Sequence, residues 1–377
     1  MIPFFSLEGR RRETEADVIR TISEVWTSDT FIGGDYVDKF ESDYADFVNV
    51  PHCVGVGNGL DALRLILAGL DIGPGDEVIV PSHTFIATWL AVTQVGATPI
   101  AVDVEMESGN LDSSQVEAAL TSKTAAIIVV HLYGKLGPVR ELLSLCQRHG
   151  LFLIEDAAQA HGATLDGVHA GAFGEAAAFS FYPTKNLGAV GDAGCVTTRN
   201  SDLALRIRSL RSYGSSTISK YEHLEMGWNS RLDPLQAAVL SVFLLHLPEW
   251  NRRRAETARS YLKAFEDHNF QGALQPLHTD PDGSANVWHH FVVRAQDRHE
   301  FRSFLDIAGV GTDIHYPVPA YRAVGNWAPS GSVSSDCATM SVAESLARSV
   351  VSLPMHPWLG SQAVKVTEAL ERYTKSI

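Results

Sequence analysis

Charged and polar side chains follow two short apolar runs in the middle of the chain, Leu151–Ile154 and Ala176–Phe181. Such runs, bounded by polar or glycine residues, predict buried strands of a mostly parallel sheet. The groups able to do chemistry are Glu155, Asp156, Gln159 and His161 beside the first run, and Ser180, Tyr182 and Lys185 beside the second. Ligands of open α/β sheets bind beyond the carboxyl ends of the strands, so we expect these side chains to converge there.

An aspartate and a lysine at neighbouring strand ends suit the chemistry of pyridoxal phosphate (PLP). The lysine amine forms a Schiff base with the cofactor aldehyde, and a carboxylate keeps the pyridine nitrogen protonated, so that the ring accepts electrons. A simple ion pair between Asp156 and Lys185 is the alternative for two isolated residues. The order of residues through the whole stretch favours the cofactor.

The stretch resembles the fold-type-I PLP enzymes, and within them the DegT/StrS-type nucleotide-sugar aminotransferases. That family's EDxAQ and SFxPxK segments match Glu155–Gln159 and Ser180–Lys185. The resemblance extends over nearly the whole chain and implies a fold-type-I α/β architecture. It also implies that Lys185 binds the cofactor covalently and later moves a proton, with Asp156 at the ring nitrogen and Gln159 at the ring hydroxyl.

Composition limits the classes of partner. The 377 residues, 45% hydrophobic and 20% charged, are enough for one large domain and a smaller one. A net charge of −14 argues against nucleic acid or an anionic membrane surface as partner. No apolar stretch is long enough to span a bilayer and no signal peptide is visible, so we predict a cytoplasmic protein. Four isolated cysteines, Cys53, Cys146, Cys195 and Cys337, are expected to be reduced and buried.

Strands alternate with helices through the first two thirds of the chain, which predicts a doubly wound sheet. We predict a PLP-binding domain with N-terminal helices at residues 1–248 and a small α+β domain at 249–377. Further strands are predicted at Cys53–Val56, Val78–Val80, Thr98–Val104, Ala125–Leu132, Gly194–Thr198, Val287–Ala295 and Thr312–Tyr316. A helix beginning near Asp233 should kink or break at Pro248.

A glycine turn after the first strand predicts an anion site, because free backbone N–H groups and the helix dipole point at the ligand there. We predict that Gly59 and Leu60, together with Ser180, hold the cofactor phosphate. The turn is not a dinucleotide fingerprint, since Ala62 stands where GxGxxG needs glycine. The resemblance places Phe85 against a face of the ring; the alternative is an ordinary core position.

The segment from Ser215 to Phe243 resembles the family's KYxHxxxGxNxRLDxxQAA sequence. In the family this segment reaches a neighbouring subunit, so the resemblance implies a homodimer with shared sites in which Asn229 touches the partner's cofactor phosphate. It also implies substrate contacts at Lys220 and Tyr221. The alternative for Asn229 is a position that caps or precedes a helix.

His315 and Tyr316 match the family's HYP segment, which lies beside the sugar nucleotide. The alternative is a packing pair at a strand end. No metal site is predicted, because the fifteen histidines lack ligand spacing and His289 and His290 should point to opposite faces of a strand.

Together these features predict a PLP-dependent aminotransferase that converts a nucleotide-linked, dTDP-linked by preference, 3-keto-6-deoxyhexose to its 3-amino sugar, with glutamate as donor. The preference for C3 rests on the resemblance of GNGLDAL and SFYPTKNLGA, with Tyr182 as a substrate contact; the alternative is that Tyr182 only packs. A 4-keto sugar aminotransferase and a PLP-binding regulator without turnover also stay open. A sugar dehydratase is disfavoured, since such relatives have histidine where Lys185 stands.

Overall fold

The computed structural model describes residues 1–216, 221–268, 270, 272–279, 286–324 and 340–375. Its helices are α1 (Glu8–Thr27), α2 (Asp35–Val48), α3 (Gly59–Gly69), α4 (Ile86–Gln94), α5 (Ser113–Val116), α6 (Val139–His149), α7 (Ser201–Leu210), α8 (Pro234–Leu244), α9 (Leu247–Asp267), α10 (Arg298–Ile307), α11 (Ala320–Ala323), α12 (Ser341–Ser349) and α13 (Gln362–Thr374). Its strands are β1 (His52–Val56), β2 (Glu77–Pro81), β3 (Thr98–Val102), β4 (Thr124–Val130), β5 (Phe152–Asp156), β6 (Thr164–Leu165), β7 (Val168–His169), β8 (Ala176–Ser180), β9 (Gly194–Thr198), β10 (Leu274–Pro276), β11 (Phe291–Ala295) and β12 (Val350–Leu353). Within these ranges none of the helices combines the length and apolar character that crossing a bilayer requires.

The large sheet has seven strands in the order β1-β9-β8-β5-β4-β2-β3. Strand β9 runs antiparallel to both of its neighbours, and the remaining neighbours pair in parallel. Successive residues of β2 alternate between two buried clusters: Val78 and Val80 join the one that contains α3, and Ile79 joins the one that contains α6. Both faces are therefore covered by helices. The predicted mostly parallel α/β sheet is confirmed.

The second sheet is antiparallel, in the order β10-β11-β12. The predicted strand Thr312–Tyr316 is wrong, because this segment pairs with β12 only through a single bridge between Asp313 and Ser352. The predicted strand Val287–Ala295 begins only at Phe291, since Trp288 has φ of 52°, outside the extended region. Strands β10 and β12 were not predicted. The division into two domains at residue 248 stays a prediction.

Pro248 separates two helices. It lies in the first turn of α9, where its missing N–H costs nothing because that group has no intrahelical acceptor. The predicted break is confirmed. Three cysteines, Cys53, Cys146 and Cys195, are free and buried as expected, and Cys337 lies outside the described residues.

Six of the seven strands have their carboxyl ends at one edge of the large sheet. Strands β2, β3, β4, β5 and β8 are mutually parallel, and β1 points the same way as β8 because each is antiparallel to β9. The segments that follow β1 and β2, and the last residues of β5 and β8, therefore lie together. This edge faces the residues that precede α11, from Asp313 to Tyr316.

Candidate active site

A cavity of about 480 Å³ opens at this edge of the sheet. Ten of the predicted site residues line it: Gly59, Leu60, Phe85, Asp156, Gln159, Ser180, Tyr182, Lys185, His315 and Tyr316. Two others do not line it: Asn229 and Tyr221 are exposed on the surface of the chain. Lys220 lies outside the described residues.

Asp156 is the last residue of β5 and is buried. Thr88 Oγ1 donates a hydrogen bond to Oδ2 at 2.9 Å, and the backbone N–H of Ala158 donates to Oδ1 at 3.2 Å. Burial raises the pKa of this carboxyl, although both hydrogen bonds and the charge of Lys185 favour its ionised form. A buried carboxylate held by two donors is a rigid partner for one cationic group in the cavity.

Lys185 lies in the loop after β8, which folds back on itself so that the Lys185 N–H donates to Tyr182 O at 2.8 Å. Burial lowers the pKa of Lys185 to about 8, and the negative charge of Asp156 opposes this shift. An amine with such a pKa is partly neutral at physiological pH, and the neutral form is a nucleophile and a base.

The loop is also held by a residue that the sequence did not reveal. Arg10, on α1, is buried and donates through Nη1 to Gly188 O at 2.7 Å and through Nη2 to Pro183 O at 3.1 Å. These carbonyls lie on either side of Lys185. One guanidinium therefore fixes both ends of the loop, which the planar fork of arginine donors suits.

The turn between β1 and α3 forms a cradle with Ser180. Asn58 caps α3, accepting a hydrogen bond from the Asp61 N–H at 2.8 Å, while the N–H groups of Gly59 and Leu60 have no intrahelical acceptor in the first turn. A Cβ placed on Gly59 would come within 2.7 Å of Ser180 Cβ. The helix N-terminus and Ser180 are thus as close as a glycine permits. The N–H groups of Gly59 and Leu60, together with the hydroxyl of Ser180, form a set of donors that fits a phosphate.

Phe85 and Gln159 line the cavity, and both contact Tyr316. The rings of Phe85 and Tyr316 lie 5.6 Å apart at their centroids and are tilted by 40°. Gln159 Nε2 donates to Tyr316 Oη at 3.0 Å, and Gln159 Oε1 accepts from the Tyr133 N–H at 2.6 Å. The cavity therefore combines a lysine, a carboxylate, a phosphate cradle and an aromatic wall, a set that fits PLP.

Two of the side chains expected to converge here point elsewhere. Glu155 faces the opposite side of the sheet from Asp156, as strand alternation requires, and accepts from the N–H groups of Gly171, Phe173 and Gly174. His161 donates through Nε2 to Ser180 O at 3.0 Å and lies among core aromatic rings. Burial lowers the pKa of His161 to about 3, so it is neutral. Both residues lie outside the cavity lining and stabilise the segments that form it.

The prediction that His289 and His290 point to opposite faces of a strand is wrong. Both precede β11 and both line the cavity, with ring centroids 4.0 Å apart. His290 also stacks on His315 at 4.0 Å. Among the described residues there is no group of three or more histidine, cysteine, aspartate or glutamate side chains that could hold a metal ion.

Comparison with known proteins identifies the family of this chain. The model of the DegT/DnrJ/EryC1/StrS aminotransferase family matches residues 12–371. This chain belongs to that family. A Streptomyces venezuelae relative, dTDP-3-amino-3,4,6-trideoxy-alpha-D-glucose transaminase, is 45% identical over 100% of this chain and 97% of its own length. A Saccharopolyspora erythraea relative, named erythromycin biosynthesis sensory transduction protein EryC1, is 47% identical over 96% of each chain.

The fold is shared with solved structures. The crystal structure of S. venezuelae DesV in complex with a ketimine intermediate has a TM-score of 0.92 and 44% identity, and the match covers 100% of this chain and 99% of DesV. The protein is a sugar aminotransferase, and PLP is its cofactor. Its fold is the mixed α/β fold with a large, mostly parallel sheet that these aminotransferases share.

Proposed function

We propose that this aminotransferase converts the C3 keto group of a dTDP-linked 6-deoxyhexose to an amine, with glutamate as the amino donor. The name of the S. venezuelae relative supports a dTDP sugar and nitrogen at C3. The observation that carries the choice of carbon is the position of Tyr182, three residues before Lys185, half-exposed, and in the wall of the same cavity. A hexose presenting C3 rather than C4 to the fixed amine is rotated, and Tyr182 is placed to contact the rotated ring.

When bound, PLP supplies the electron sink that makes a C–H bond beside its nitrogen acidic. The protein's own residues do the rest. Lys185 Nζ would bind the cofactor covalently and, once released, would act as the base that moves a proton between the sugar carbon and the cofactor carbon. A pKa of about 8 suits both directions of this transfer, because neither protonation state of the amine is strongly favoured near neutral pH.

The other cavity residues hold the cofactor. Asp156 would pair with the ring nitrogen of the cofactor, and Gln159 with its ring hydroxyl. The N–H groups of Gly59 and Leu60 and the hydroxyl of Ser180 would bind the phosphate, and Phe85 would pack against the ring. His315 and Tyr316 close the cavity on the sugar side.

We further propose that the active unit is a cytoplasmic homodimer. Asn229 is exposed and lies outside its own chain's cavity, which supports a role in the partner's site. Tyr221 is 82% exposed in the same segment. Both would then contact a cofactor or substrate bound mainly by the other subunit, and we extend this proposal to Lys220 as a substrate contact.

The test is turnover of a matched substrate panel with glutamate: dTDP-linked 3-keto and 4-keto 6-deoxyhexoses, and UDP-linked counterparts. We expect the 3-keto dTDP sugar to have the highest kcat/KM, and NMR of the product to place nitrogen on C3. Nitrogen on C4, with a higher kcat/KM for the 4-keto isomer, would refute the regiochemistry. Preference for UDP sugars would refute the proposal that the nucleotide is dTDP. Absence of turnover with every sugar would favour a regulatory role like that in the name of the S. erythraea relative.

A further inference from the structure

His289 is one of the cavity residues without a role in the scheme above. It is 4% exposed, and its Nδ1 lies 3.1 Å from Asn186 Oδ1. Asn186 is the residue directly after Lys185 in the loop. The side chain of His289 is therefore hydrogen-bonded to the side chain of the residue next to the catalytic lysine.

The hydrogen-bond partners fix the orientation of both amides in this network. Asn251 Nδ2 donates to the backbone O of His161 at 2.8 Å, so its Oδ1 is the atom that faces Asn186. Asn186 Nδ2 donates to that Oδ1 at 2.9 Å and to the backbone O of Val287 at 2.9 Å. A backbone oxygen can only accept, so neither amide can be flipped without placing acceptor against acceptor.

The tautomer of His289 is fixed by its hydrogen-bond partner. Asn186 Oδ1 can only accept, so His289 Nδ1 must carry a hydrogen. Burial, with the charges of His290, Lys185 and Arg254 adding to it, lowers the pKa of His289 well below its usual value, so the ring is neutral. A neutral ring with its hydrogen on Nδ1 has a lone pair on Nε2, so Nε2 can accept a hydrogen bond.

The backbone around His289 is held as firmly as the ring. Arg254 Nη1 donates to the carbonyls of Trp288 and His289 at 3.1 and 3.3 Å. A Cβ on Gly134 would come within 2.8 Å of the His289 nitrogen, so the two backbones are in close contact. Trp288 adopts φ of 52°, a conformation rare for a bulky residue and retained only where its surroundings enforce it.

We propose that His289 is a positioning residue for Lys185: its Nε2 accepts a hydrogen bond from Lys185 Nζ while that amine carries the transferred proton. Lys185 and His289 line the same cavity, and the positive charge of Lys185 contributes to the lowered pKa of His289. The acceptor would hold the ammonium between the carbons that exchange the proton, leaving Asp156 to the cofactor ring. The inference rests on the proposed role of Lys185 as the base.

Two substitutions distinguish the roles of Nδ1 and Nε2 of His289. His289→Asn places an amide where Nδ1 stands, so the bond to Asn186 is kept while the Nε2 acceptor is lost. His289→Gln places an amide oxygen near Nε2 and gives up the bond to Asn186. If His289 were only structural, His289→Asn would resemble the wild type.

We expect His289→Asn to lower kcat at least tenfold, equivalent to about 1.36 kcal/mol in the barrier, with KM for the sugar little changed. We expect His289→Gln to keep more of kcat than His289→Asn. In cofactor-free protein, the pH dependence of Lys185 acylation, followed by mass spectrometry, should show a lower pKa of Lys185 in His289→Asn than in the wild type, because an acceptor for the ammonium is lost. Equal kcat and equal Lys185 pKa in His289→Asn and wild type would overturn the proposal.

A measurement on the wild type tests the proposal even if a variant loses activity because it misfolds. Long-range ¹H–¹⁵N spectra of ¹⁵N-histidine-labelled cofactor-free protein, with His289 assigned by its loss in either variant, should show a neutral ring with hydrogen on Nδ1. Hydrogen on Nε2, or a charged ring, would overturn the proposal. This readout does not involve turnover, whereas activity retained by Lys185→Ala would instead overturn the proposed function.

Discussion

The close contact between Gly59 and Ser180 makes Gly59→Ala a direct test of the phosphate cradle. An added Cβ would lie 2.7 Å from Ser180 Cβ, whereas ordinary contact begins at 3.4 Å, so α3 and β8 must separate by about 0.7 Å. Overpacking of this kind costs ~1–3 kcal/mol, and the helix propensity of alanine offsets little of it because Gly59 is the first residue of α3. We therefore expect a moderate loss of stability and a displaced set of phosphate-binding N–H groups.

The displacement should appear in cofactor affinity. A hydrogen bond to a charged group contributes ~1.5–3 kcal/mol, so losing the equivalent of one such bond weakens PLP binding by roughly tenfold to a hundredfold. The assay is titration of cofactor-free protein with PLP, followed by absorbance. Gly73→Ala is the matched control, since its Cβ would meet no heavy atom closer than 3.4 Å and its φ is not positive. Gly59→Ala binding PLP within twofold of both the control and the wild type would refute the cradle.

The remaining predictions concern the amine, the assembly and the substrate. In cofactor-free protein, Lys185 should become reactive toward trinitrobenzenesulfonate with a midpoint near pH 8, and Asp156→Asn should move this midpoint down, because the aspartate charge raises the pKa of Lys185; a rise would contradict the pairing. If Asn229 acts in the partner's site, equal mixing of inactive Lys185→Ala and Asn229→Ala chains gives heterodimers with one intact site, and about a quarter of wild-type activity should return; an isolated heterodimer without activity would exclude this. Replacing Tyr182 by Phe should reduce kcat/KM for the 3-keto sugar more than for the amino donor half-reaction, as stopped-flow absorbance can resolve, and equal effects would favour a packing role.

The sequence predicted those site residues whose placement depends on strand ends and local turns. Asp156 and Ser180 end parallel strands, and Gly59 begins a helix after a glycine turn, so period and turn chemistry alone bring them to one edge. Glu155 shows the limit of that reasoning. It is adjacent to Asp156 in the chain, but strand alternation places its side chain on the other face of the sheet, where it accepts a hydrogen bond from the Gly171 N–H.

Contacts between distant segments could not be predicted from local patterns. Arg10 reaches Gly188 across 178 positions of sequence, and nothing in the EGRRRE run marks which arginine is buried. His289 and His290 fall within the predicted strand Val287–Ala295, yet the turn at Trp288 delays the strand to Phe291. That turn is in close contact with Gly134, which lies 154 positions earlier in the chain than Trp288. Tertiary packing decides such positions, so local propensity does not find them.

We propose that Lys185 holds PLP and moves the proton, and trapping the cofactor tests this role most directly. The protein as isolated should be yellow, and borohydride reduction followed by peptide mass spectrometry should place a stable cofactor adduct on Lys185. Lys185→Ala should still bind PLP noncovalently, through phosphate and ring contacts, but should give no adduct and no turnover. An adduct on Lys123 or Lys220 in the wild type, or turnover by Lys185→Ala, would contradict the account.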